Sequence, residues 1–163
     1  MINNEISRGD ICFVKLPKEV QKCPSCGKDI IENERGEFTC KNCGTVLDKS
    51  YIQTGIRPAI IFSNNSNNAY SPTINVLPLT SRIKKDTLPV HAILRNTRLP
   101  KTSMVLPEQM RTVNKYNIME KIVHIDKNDM IAVEFAFLIQ TGMIKNINKL
   151  AYLANSKENS FAV

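Results

Sequence analysis

Short apolar runs separated by turn-forming residues recur along the chain from residue 11 to residue 125. Residues 11–16 mix apolar and β-branched side chains and predict a strand that Pro17 ends. Residues 58–62 are apolar throughout apart from the leading proline, the pattern of a buried strand. The Ser/Asn run over residues 63–68 then predicts a polar loop. Further strands are predicted over residues 74–79, 90–94, 104–106 and 122–125. Residues 126–129 have helix N-cap character before a helical run from Met130 to Thr141, which Gly142 stops. Beyond it, Ile144, Ile147, Leu150 and Leu153 stand at near-helical spacing, predicting a second short helix that frays from Asn155. Several short strands and one late helix predict a mainly-β chain: a small barrel with a helix packed on it.

One segment breaks this rhythm. Cys23-Pro24-Ser25-Cys26 and Cys40-Lys41-Asn42-Cys43 are each followed by glycine, Gly27 and Gly44, and 13 residues separate the pairs. Two thiolates spaced this way reach one ion from a tight turn, and two such turns complete a tetrahedral sulfur site. Glycine lets the backbone fold back under the sulfurs without a Cβ clash. The expected occupant is one structural zinc ion, held by Cys23, Cys26, Cys40 and Cys43. Four thiolates leave it no open position for catalysis. A polar hairpin turn is expected over residues 32–37, and metal binding is expected to supply the folding free energy of so small a segment. A redox Cys-x-x-Cys is the competing reading. The boundaries that follow are a barrel over residues 1–16 and 51–142, an inserted zinc ribbon over 17–50, and a partly helical extension over 143–163. The fifth cysteine, Cys12, sits in a strand and reads as a small core residue.

Charge narrows the partner. The formal net charge is +7, yet residues 18–50 hold six basic and six acidic residues, so the excess lies outside the insert. A basic barrel favours a phosphate-rich partner. The most apolar window, residues 130–139, carries Glu134 and is too short to span a bilayer. The first residues have neither a basic start nor an apolar run, so no signal peptide is expected. With cysteines spaced as metal ligands, these features lead us to expect a cytoplasmic protein with no membrane partner.

Several stretches, in order, carry a family resemblance. Arg8-Gly9-Asp10-Ile11, the segment from Gln53 through Arg57-Pro58 to Asn64, and Tyr70-Ser71-Pro72-Thr73 come first. Leu79-Thr80-Ser81, Leu88-Pro89-Val90-His91, Pro107-Glu108-Gln109-Met110-Arg111 and Lys121-Ile122-Val123-His124 follow. Together they resemble the MazF/PemK-type toxins of type II toxin–antitoxin systems, over residues 8–16 and 53–142. The resemblance implies an SH3-like barrel with a C-terminal helix, usually a homodimer. It also implies cleavage of single-stranded RNA at short sequences without a catalytic metal, and a cognate antitoxin partner. Arg57 and Thr80 match the family's catalytic pair.

The same residues suit that chemistry on their own terms. RNA is cut without a metal when its 2′-hydroxyl attacks the adjacent phosphate. The protein must then align the attack, stabilise the growing negative charge and protonate the departing oxygen. Arg57 carries a fixed charge with bidentate donors, and Thr80 and Ser81 offer short hydroxyls. Glu108, Gln109 and Arg111 are expected to contact bases or to position Arg57, with strand-like alternation placing Gln109 and Arg111 on one face. Some relatives carry an arginine two residues before the acidic position, where this chain has Leu106. Gln53, Thr54 and Gly55 are matched as the end of an RNA-flanking loop, enlarged here by the cysteine segment. His91 and His124 are read as packing or hydrogen-bonding residues. Two other classes stand beside the nuclease: a nucleic-acid-binding ribbon that includes DNA among its targets, and a toxin that binds a protein such as gyrase. The ribbon itself is expected to staple the loop and gate the substrate.

Overall fold

The structure, a computed structural model, describes residues 6–17, 21–32, 38–47, 53–83, 88–95 and 97–144. The first strand, β1 (Asp10–Leu16), buries five of its seven residues and stops before Pro17 as the pattern predicts. The chain then builds a small separate sheet from β2 (Gln21–Lys22), β3 (Asp29–Glu32), β4 (Phe38–Thr39) and β5 (Val46–Leu47), in that spatial order. It returns in β6 (Gly55–Ile61), which runs antiparallel to β1 with Leu16 opposite Gly55.

The residues expected to form a polar loop instead wind one short helix, α1 (Asn65–Tyr70). The reason is local. The Asn64 side chain caps it by accepting from the Asn67 N–H at 2.7 Å, so the asparagines act as cap and first turn. Asn68 is buried and its carboxamide exchanges hydrogen bonds with Ser63.

Strand β7 (Thr73–Thr80) follows, then β8 (Ala92–Leu94), β9 (Ser103–Val105), β10 (Arg111–Asn114) and β11 (Ile118–His124). The main antiparallel sheet runs β11-β1-β6-β7-β9-β8, with β10 also paired to β7. Two of these elements depart from the pattern. β10 escapes prediction because only Val113 within it is buried. β11 starts at Ile118 rather than Ile122, since shifts in its register against β1 break the alternation. Helix α2 (Lys127–Gln140) is capped by Asp126, which accepts from the Asp129 N–H at 2.7 Å. Gly142 follows with φ +70°, the left-handed turn that ends such helices. The turn expected over residues 32–37 lies, beyond Glu32, outside the described residues. So does the second helix beyond Ile144.

The curled sheet has a core on each face. Ile11, Ile60, Leu77, Val105 and Val133 pack on one side, where α2 covers the sheet. Cys12, Val14, Ala59, Ile74, Val76 and Val113 fill the other. Burial pushes the Cys12 thiol up to about 11, as befits an inert core side chain. Among the described residues, the insert's own buried set is Cys23, Ile30 and Cys40, with Cys26 and Phe38 against them.

Candidate functional site

The geometry of the barrel end follows from strand register. Ala59 faces Pro78 across β6 and β7. The β6–β7 pairing ends there, and Arg57 and Thr80 lie two residues past that last pair on their respective strands. On its other side Arg57 is paired with Val14 of β1. Two residues 23 positions apart in sequence are thus brought to one end of the sheet. They share the wall of a cavity of about 410 Å³.

The cavity's polar rim holds Gln53, Arg57, Thr80, Ser81, Arg82 and Lys101, and its apolar wall includes Phe13, Leu79 and Ile122. Arg57 is exposed, and its Nε donates to the Thr54 carbonyl at 3.2 Å. That contact leaves the two Nη groups to meet a phosphate in bidentate fashion. The Thr80 hydroxyl accepts from the Arg82 N–H at 3.1 Å, which orients the hydroxyl. Arg82, Lys101 and Phe13 were not singled out from sequence. Arg82 directly follows the Thr80-Ser81 pair, the only signal that pointed to it. Lys101 reads as an ordinary surface charge, and Phe13 as a core strand residue.

Glu108, Gln109 and Arg111 do not line the cavity. Strand-like alternation across them does not hold, because residues Pro107–Gln109 form a single 3-10 turn with proline at its start. Glu108 meets His91 Nε2 at 3.3 Å. Gln109 Oε1 accepts from the Gln53 N–H at 2.7 Å, and Arg111 Nη1 donates to the Pro17 carbonyl at 3.2 Å. Of the residues expected at the RNA, Gln53, Arg57, Thr80 and Ser81 therefore come together. Thr54 and Gly55 lie beside them in the stem that returns from the insert. Both histidines are held by carboxylates: His91 by Glu108, and His124 by the buried Asp10 at 2.7 Å.

The second site is the cysteine cluster. All four Sγ atoms lie within 4.8 Å of one another, and the Cys23–Cys43 and Cys26–Cys40 pairs stand at 3.5 Å. A zinc–sulfur bond of about 2.3 Å gives a tetrahedron edge of roughly 3.8 Å, so the cluster fits such an ion. Its two halves are near copies. The Gly27 N–H donates to the Cys23 carbonyl and the Gly44 N–H to the Cys40 carbonyl, both at 2.8 Å. Gly27 and Gly44 have φ of +70° and +73°, a conformation costly for any residue with a Cβ. The four-cysteine group can hold a metal ion.

A curled antiparallel sheet carrying one helix, with Arg57, Arg82 and Lys101 around a cleft at a strand end, defines a small β-barrel protein. Residues 7–140 match the family described as "PemK-like, MazF-like toxin of type II toxin-antitoxin system". The chain belongs to that family. Solved structures share the fold at low identity. MazF (Form-I) from Deinococcus radiodurans is 17% identical, with 84% of this chain and 96% of that one covered at a TM-score of 0.58. An endoribonuclease from Mycobacterial species is 15% identical, with coverage of 87% and 96% and a TM-score of 0.56. An endoribonuclease in complex with its cognate antitoxin, also from Mycobacterial species, is 16% identical, with coverage of 86% and 98% and a TM-score of 0.55. Among the described residues, no helix is long and apolar enough to cross a membrane.

Proposed function

We propose that this chain is the toxin of a toxin–antitoxin pair and an endoribonuclease that cuts single-stranded RNA through attack by the RNA's own 2′-hydroxyl. The observation that carries this is that Arg57 and Thr80 line one cavity, together with Arg82 and Lys101, where the β6–β7 pairing ends. In the proposed step the 2′-hydroxyl gives its proton to water as its oxygen bonds to phosphorus, the bond to the 5′-oxygen breaks, that oxygen takes up a proton, and a 2′,3′-cyclic phosphate remains. Arg57 stabilises the charge developing on the phosphorane oxygens and is the group we assign to protonate the 5′-oxygen, regaining its own proton from water. Thr80 and Ser81 orient the phosphate and the 2′-hydroxyl. Arg82 and Lys101 add the sequence-independent attraction for backbone phosphates. Gln53 and Phe13 offer an unpaired base a hydrogen-bonding edge and an aromatic surface.

Zinc in the four-thiolate site stabilises the insert and stays out of the chemistry, because the donor set closes its coordination. A cognate antitoxin, a second copy of the chain and a cytoplasmic setting complete the reading, supported by the family and by the antitoxin-bound relative.

The test is end-mapping on a long single-stranded RNA in magnesium-free buffer. Cuts at a short recurring sequence with 2′,3′-cyclic phosphate ends are expected, and Arg57→Ala should slow them by roughly 10²–10³-fold, the usual loss on removing a key charge-stabilising donor. RNA left intact by the wild type, or cut equally well by Arg57→Ala, overturns the proposal.

A further inference from the structure

The insert hangs from two strand ends, and both of its stems are gripped by one segment of the barrel. The outgoing stem is held at the Pro17 carbonyl by Arg111, and the returning stem at the Gln53 N–H by Gln109. One residue beyond that grip, the Thr54 carbonyl accepts the Nε–H of Arg57.

Gln109 has a firm base. Its N–H closes the 3-10 turn on the Leu106 carbonyl at 3.0 Å, and the Leu106 N–H is in turn bonded to the Pro78 carbonyl at 3.0 Å. Leu106 and Pro107 are buried. Pro78 is in β7, on the strand that ends in Thr80. Next to it, β10 pairs Arg111 with Val76, also in β7. A closed circuit results: β7 presents Thr80 directly and fixes Arg57 indirectly, through Leu106, Gln109, Gln53 and Thr54.

We infer that Gln109 is a positioning residue, which sets the Arg57 guanidinium relative to Thr80 by pinning the returning stem of the insert, with Arg111 steadying the outgoing one. This rests on the reading of Arg57 as the group that meets the scissile phosphate. An arginine side chain has several rotatable bonds, and its acceptor at Thr54 sits one residue outside the last β1–β6 pair, Leu16 with Gly55, so the ladder holds it from one side only. The Gln53–Gln109 bond holds it from the other. It acts on the orientation of Arg57 and not on the affinity for RNA, so its loss lowers the rate of the bound complex.

The experiment compares full-length wild type with Gln109→Leu, which lacks the acceptor, Gln109→Asn, which is too short to reach, and Gln109→Glu, which still accepts. Single-turnover cleavage of a short RNA should fall about tenfold in the Leu and Asn variants. Affinity for the same oligonucleotide carrying a 2′-deoxy sugar at the cut should stay within about twofold, and Glu should restore the rate. In parallel, the Arg57 Nε–H resonance, assigned by its loss in Arg57→Lys, should be protected from exchange in wild type and Glu and lose protection in Leu and Asn. Weakened binding with the rate preserved, or a Glu variant as impaired as Leu, overturns the inference. So does unchanged Arg57 protection in Leu and Asn. If wild type cleaves no RNA, the nuclease reading falls while the resonance still decides the positioning role. If Leu fails to fold, Asn carries the same comparison.

Discussion

Replacing Asp10 with asparagine should destabilise the barrel strongly and in a pH-dependent way. Asp10 is fully buried at the start of β1, where it faces His124 of β11. Its Oδ2 accepts from the Ser7 N–H at 2.9 Å. Its Oδ1 accepts from His124 Nδ1 at 2.7 Å and Lys121 Nζ at 2.8 Å. Asparagine has one acceptor oxygen for these donors, so in either orientation its NH₂ faces a group that also donates. The Ser7 bond to a charged acceptor is worth roughly 1.5–3 kcal/mol. The Lys121 and His124 contacts count for less, about 0.5–1 kcal/mol each, because those side chains are 41% and 56% exposed. Asp10→Asn should thus cost about 3 kcal/mol at pH 7, and with a urea slope of about 2 kcal/mol/M the midpoint should drop by roughly 1.5 M. Burial alone would raise the Asp10 pKa. The Lys121, Ser7 and His124 contacts outweigh it and hold the carboxyl below its ordinary 3.8. The stability it contributes is therefore present above 3.8 and lost as pH falls through the lower folded value. Urea unfolding at a series of pH values should show the two proteins far apart at neutrality and converging in acid. A midpoint shift under about 0.3 M at pH 7 would refute this reasoning, as would a gap that widens on acidification.

Purified without chelators, the protein should carry one zinc ion per chain by elemental analysis. Cys40→Ala, which removes a buried ligand, should lose it while the barrel still unfolds cooperatively; full zinc retention in that variant would disprove the four-thiolate site. Gly9→Ala should destabilise by about 1–2 kcal/mol or more, because Gly9 has φ +89° and an added Cβ would lie 3.2 Å from His124 Cε1. Thermal unfolding reads the loss, and an unchanged melting temperature would contradict it.

The strands were legible where both faces of the sheet are dry, as in residues 58–61, because continuous apolar character survives without neighbours. They were hidden where tertiary context decides. A run of asparagines reads equally as loop or as cap and first turn, and only the Asn64 side-chain bond separates the two. The cysteine cluster was fully legible because its ligands are placed by local turns, each with a glycine at positive φ. Arg57 and Thr80 stood out as motifs, but their gathering in one cavity wall comes from the way β6 and β7 pair. The surroundings of Gln109 were out of reach. Its partner, Gln53, is 56 residues away, and alternation assumed a strand where Pro107 starts a 3-10 turn.

The chain departs for the insert at Leu16 and returns at Gly55, and those two residues are direct cross-strand neighbours. The insert is therefore a graft onto a hairpin: a tight turn of about two residues in its place would join β1 to β6 without disturbing a rung of the ladder. Such a deletion mutant should keep its barrel and yet lose Thr54, the acceptor that steadies Arg57. Folding of the barrel and the setting of Arg57 should thus be separable, with the graft open to exchange or shortening while the scaffold beneath it stays the same.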